Sequence, residues 1–86
     1  MKPVINISTK TLESGDLCNI LLNARSAMIN TAVRAAHNLK KPAFEVGLAR
    51  MDADREALEM SKRCMYANSM KSALEIIQEY VDIMIV

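Results

Sequence analysis

The sequence predicts an all-α protein: an antiparallel hairpin of two long helices with a short helical connector, assembling into a helical bundle oligomer. Three observations lead there. The 86 residues include only two prolines and two glycines, and none of them interrupts residues 17–39 or 53–81. Proline costs a helix interior about 3 kcal/mol and glycine about 1, so both stretches are free to be helices of roughly 35–45 Å. Each stretch carries apolar residues at steps of three and four, the spacing of a helix face. Finally, a two-helix hairpin of this size buries one side of each helix only, and such chains complete their core by association.

The elements follow in order along one domain, residues 1–86. Residues 1–13 read as an extended arm, with Val4-Ile5-Asn6-Ile7 as a short strand or simply extended chain. Ser14 is placed to cap the first long helix, with Asp16 near its positive end. In that helix Leu17, Leu21, Ala24, Met28, Thr31, Ala35 and Leu39 form a seam toward the partner helix. A second row, Cys18, Leu22, Ile29, Val33 and Ala36, lies beside it and is the candidate oligomer interface. Lys40, Lys41 and Pro42 end the helix. Residues 42–50 can form a separate turn or two from Pro42, weakened by Gly47.

Asp52 and Asp54 then read as the cap and first turn of the second helix. Its seam is Ala53, Ala57, Met60, Cys64, Ala67, Met70, Leu74, Ile77 and Val81, flanked by Leu58, Met65, Ala73, Ile76 and Tyr80. Glu59–Arg63 and Lys71–Glu75 have the i,i+4 spacing of helical ion pairs. Residues 82–86 are an apolar tail, helix or strand, that needs cover from the N-terminal arm of the same or a neighbouring chain.

Composition narrows the function classes. The chain is 51% hydrophobic but 3% aromatic, with one Phe and seven Met, so its core is aliphatic and its surfaces adaptable. Eleven basic against ten acidic residues leave a net charge of +1, which is no footprint for DNA or RNA. No apolar run reaches the ~18 residues of a membrane span. The N-terminus lacks a secretory pattern, which points to the cytoplasm of a producing or host cell. Cys18 and Cys64 stand alone, without CxxC spacing. In a hairpin turning near residues 41–52 they lie far apart, as two buried structural thiols.

Charge separates the two helices. Residues 17–39 contain no acid and only Arg25 and Arg34 as fixed charges, whereas the second helix has an ordinary solvated face of Glu, Lys and Arg. Asn19, Asn23, Ser26, Asn30, Arg34, His37 and Lys41 follow one another at helical steps as one polar stripe. Such a stripe serves as hydrogen-bonding groups across a subunit interface, as a site for an anion, or simply as a solvated face. In the second reading Asn23, Ser26, Asn30, Arg34, His37 and Lys41 are the ligand residues, and a phosphate-bearing nucleotide suits their chemistry. His37 is the sole histidine and has no cysteine within a turn of it, so no metal site is expected. Nor is there a glycine-rich phosphate loop or a nucleophile with base and orienting group, and no cofactor is expected.

One short segment has a familial echo. Asp52-Ala53-Asp54-Arg55-Glu56, at the head of an amphipathic helix, resembles the acid-Arg-Glu segment of the all-helical chorismate mutases. That resemblance implies Arg55 on a substrate carboxylate, Asp52 and Glu56 near the hydroxyl and ether oxygens, and Arg25 as a second clamp. The family's later lysine falls here on Ala36, and Gln78 comes too early for its closing glutamine.

The expectation drawn from all this is a non-enzymatic helical oligomer that binds another macromolecule as an adaptor or inhibitor. Phage-encoded regulators and anti-defence proteins often have this size and composition. Binding of an anionic small molecule between subunits is the alternative, and chorismate-mutase-like chemistry a remote third.

Overall fold

The computed structural model describes residues 2–86. It runs β1 (Val4–Ile7), α1 (Thr9–Ser14), α2 (Leu17–Asn38), α3 (Ala43–Met65), α4 (Met70–Gln78) and β2 (Asp82–Ile85). Two long helices pack as a hairpin, as expected, but the chain is not purely α: β1 and β2 form a two-stranded parallel sheet. The correction has a simple origin. Both tail segments are short and rich in β-branched isoleucine, and each supplies the other's missing backbone partner.

The register pairs Val4 with Asp82 and Ile7 with Ile85. It is extended by the Asp82 amide on the Pro3 carbonyl at 2.8 Å and the Val86 amide on the Ile7 carbonyl at 3.0 Å. The arm of the same chain thus pairs the tail's backbone, while Met84, Ile85 and Val86 stay more than half exposed. Alternation along β1 buries Ile5 and Ile7 and exposes Val4 and Asn6.

The N-terminal arm is extended only to Ile7. Ser8 caps α1, accepting the Thr11 amide at 3.1 Å, and Gly15 closes it in the left-handed region at φ 68°. Ser14 thus ends α1 rather than starting α2. The cap of α2 is Asp16, whose carboxylate accepts the Asn19 amide at 3.1 Å. Serine and aspartate are both good caps, and the glycine between them decides which is used.

The hairpin turn is tighter and earlier than residues 41–52. Lys40 sits at φ 56°, with its amide on the His37 carbonyl at 2.9 Å and the Lys41 amide on Ala36 at 3.1 Å. These two bonds are a Schellman closure, here built on lysine instead of glycine. Pro42 then leads straight into α3, its carbonyl accepting the Glu45 and Val46 amides. There is no separate connector, because one glycine in a helix costs only ~1 kcal/mol and Gly47 lies within 23 continuous helical residues. Asp52 and Asp54 are mid-helix, not caps. A Cβ added at Gly47 meets nothing within 4 Å. Gly47→Ala should therefore stabilise the fold by about 0.5–1 kcal/mol, read as a rise of a few degrees in melting temperature.

The expected second helix divides. Chain reversal at Tyr66–Ser69 separates α3 from α4, although neither proline nor glycine is present there. The Tyr66 and Ala67 amides bond three residues back, to Arg63 and Cys64, and so tighten the last turn. Ser69, extended at φ −157°, caps α4 by accepting the Ser72 amide at 3.1 Å. The break folds α4 back on α2 and α3, so Ala73 and Ile77 enter the core.

Ile20, Met60, Ile77 and Val81 are fully buried and join Ile5, Ile7, Ala24, Met28, Ala57, Cys64 and Ala73 in one cluster. Ile20 belongs to neither expected row of α2. It is buried because β1 and α4 pack over α2 as well. Both cysteines are free; Cys64 is buried as expected, but Cys18 is exposed.

Candidate functional site

The six stripe residues are all exposed: Asn23, Ser26, Asn30, Arg34 and His37 on α2, and Lys41 in the turn beyond its end. The fold gathers four of them. Asn23, Asn30 and Arg34 line a groove of about 580 Å³ with Val4, Ile5 and Asn6 of β1. Asn30, Arg34 and His37 line a second, of about 380 Å³, with Ile29, Val33 and Arg50 of α3. Arg34 also borders a third, of about 420 Å³, with Lys2, Pro3 and Asn38. Ser26 lines none of these grooves. Lys41 lies instead at the elbow, in a groove with Leu39, Glu45 and Leu48.

Sequence reasoning missed Lys2, Asn6, Asn38 and Arg50. Arg50 had a signal: once the turn is placed at residues 39–42, it falls beside the end of α2. Lys2 and Asn6 had none, because the strand pairing that positions them is non-local.

No carboxylate lines any of the three grooves. The adjoining groove, which shares Pro3, Thr31 and Ala35 with the third, differs: its volume is about 490 Å³ and it is bordered by Asp52, Glu56, Glu79 and Tyr80. The other arginines are already engaged. Arg25 donates to Asp54 at 2.8 Å, tying α2 to α3, and Arg55 reaches Asp52 at 3.3 Å along the surface of α3. Both pairs are exposed, so each is worth at most about 1 kcal/mol. The Arg25–Asp54 and Arg55–Asp52 pairs also occupy the residues named by the chorismate-mutase resemblance.

Arg63 turns away from its i,i+4 neighbour Glu59 to make a two-pronged bond with Glu79, both contacts at 2.9 Å. It also donates to the Tyr80 hydroxyl at 3.2 Å. This holds the Glu79 carboxyl below the usual carboxylate range and pushes the Arg63 guanidinium higher still. Arg34 and Arg50, by contrast, have no carboxylate within ion-pair distance among the described residues.

Burial pushes the Cys64 thiol up, and the thiol donates to the Ala73 carbonyl at 3.7 Å. It is therefore a packed, protonated side chain. Among the described residues no group of three or more His, Cys, Asp or Glu is placed to hold a metal ion, and no helix is long and apolar enough to cross a membrane.

Apolar surface is distributed in a way that the sequence rows did not anticipate. In the expected interface row, Ala36 is buried inside the chain, Ile29 and Val33 are half-buried, and Cys18 and Leu22 are exposed. The larger uncovered face is on α3. Ala53, Ala57, Met60 and Cys64 face the core, while on the opposite side Phe44, Leu48, Met51, Leu58 and Met65 are 70, 53, 60, 55 and 79% exposed. A helix apolar on two opposed faces has two things to pack against, and the chain itself supplies one. Compared with family models, curated proteins and solved structures, the chain matches none.

Proposed function

We propose that this chain is a non-enzymatic, self-associating helical binding protein of the adaptor or inhibitor type, whose hairpins pair through the outward face of α3. The observation that carries this reading is the period of that face. Phe44, Met51, Leu58 and Met65 recur every seven residues, with Leu48, Arg55 and Lys62 four residues after the first three. This is a coiled-coil seam.

The seam is also self-complementary. In an antiparallel pair centred between Asp54 and Arg55, Phe44 meets the partner subunit's Met65, and Met51 meets the partner subunit's Leu58. A two-fold interface needs that kind of symmetry. The five apolar side chains leave on the order of 700 Å² uncovered, close to the ~800 Å² per partner of a standard interface. The resulting pair of hairpins keeps α2 open at the exposed Leu22, where a protein partner would dock.

Light scattering tests the assembly. The wild-type chain should be dimeric at micromolar concentration, and Met51→Glu should make it monomeric without loss of helical signal, because Met51 is exposed within one chain. Ile29→Asp with Val33→Asp should leave the dimer intact. A monomeric wild type, or a dimer broken by the α2 pair and not by Met51→Glu, overturns the α3 reading.

A further inference from the structure

We infer that the acid-free flank of α2, centred on Arg34, is a binding site for a phosphate-bearing anion of nucleotide size. The site lies within one chain and does not depend on pairing through α3. Three grooves meet there, Arg34 borders all of them, and each is of a volume that holds a small ligand.

Arg34 and Arg50 face one groove from two helices, without a carboxylate partner among the described residues. Two guanidinium forks converging on open space suit the oxygens of a phosphate, which each can hold in two-pronged fashion. Lys2 borders the third groove, but its ammonium donates to the Gln78 carbonyl at 2.8 Å and lies near enough to Glu79 to help hold that carboxyl low, so its charge is partly spent.

Two unpaired guanidinium groups exceed what a monocarboxylate neutralises and match the charge of a phosphate group. Beside apolar residues and Thr31, the lining carries four amides: Asn6, Asn23, Asn30 and Asn38. Of these, the Asn23 amide is bonded to Asn19 at 2.9 Å, which orients it along the helix. Amides donate and accept, so they fit sugar hydroxyls or base edges beside the phosphates. No carboxylate lines these three grooves among the described residues, which gives the site its sign.

The test is a titration of the isotope-labelled full chain with ATP, and separately with sodium triphosphate, followed by amide NMR at low salt, where charge contacts are least screened. Shifts should concentrate at Asn23, Asn30, Arg34, His37 and Arg50. Arg34→Gln and Arg50→Gln should each weaken binding by about tenfold or more, whereas Lys71→Gln, on α4, should not. Both arginines are exposed and unbonded, so unchanged melting temperatures verify that the variants are folded.

Equal binding of triphosphate assigns recognition to the phosphate chain. Preference for ATP assigns part of it to the amides. Absence of shifts with both probes at millimolar concentration overturns the site, as do shifts spread evenly over all lysines and arginines. Far tighter binding of an oligothymidylate than of ATP would replace the small ligand with a nucleic acid strand.

Discussion

Ile77→Ala should cost about 2–5 kcal/mol of stability, the range for a large aliphatic side chain deleted from a closed core. Ile77 is fully buried in α4 and belongs to the cluster that draws residues from β1, α2, α3 and α4, with Ile83 of β2 packed against it. Removing three carbon atoms there loses their transfer energy and leaves a cavity that five elements must collapse around. A domain of this length has only roughly 4–13 kcal/mol in total, so the variant should lose a large fraction of it. The melting temperature should fall by on the order of 10 °C or more, and urea should unfold the variant at a lower midpoint with an unchanged slope. Ile76 is the control: it is half-buried on the same helix, and its alanine variant should lose much less. Equal losses at both positions would mean that α4 is not packed as described.

Ile7→Asp should be more damaging still, and its damage should depend on pH. Ile7 is 1% exposed on β1, and its backbone carbonyl accepts the Val86 amide. A carboxylate at that position has no partner, and an unpaired buried charge belongs to the small class of substitutions that cost more than about 4 kcal/mol.

Burial raises the carboxyl's pKa in the folded state above its unfolded value of about 3.9. The folded state then binds more protons than the unfolded one through the window between the two values, so stability falls as pH rises through it. The variant should therefore regain stability, relative to wild type, as pH drops toward 4. Ile7→Asn, a near-isostere that does not titrate, should show a loss without that recovery. Denaturant unfolding from pH 4 to 7 would separate the two, and parallel curves for Asp and Asn would show that the side chain has escaped to solvent.

These positions show what the sequence made legible. In the expected seam Ala53, Ala57, Met60, Cys64, Ile77 and Val81 are buried and Ala67, Met70 and Leu74 half-buried, even though one expected helix became two. Periodicity survives a break when the reversal returns the same face to the core. The break itself left one local mark, Asn68-Ser69, which is an N-cap signal inside a pattern that otherwise continues. Ser14 misled because an equally good cap lay two residues on.

Ile20 could not be placed from α2 alone, because what buries it comes from β1 and α4. The same limit applies to the candidate site. Asn23, Asn30, Arg34 and His37 were found from their spacing on one helix, whereas Lys2, Asn6 and Arg50 reach it from elsewhere in the fold.

The parallel pairing of β1 with β2 also sets an order of events in time. Helices form from neighbours in sequence, within about a microsecond. The strand pair joins residues separated by the entire helical body, and that closure must be made before its contacts repay it. During synthesis β1 emerges first and its partner last of all the described elements. The backbone edge of β1 therefore waits unpaired while four helices are made, and a chain stalled before residue 82 holds an open strand edge that any passing strand can take.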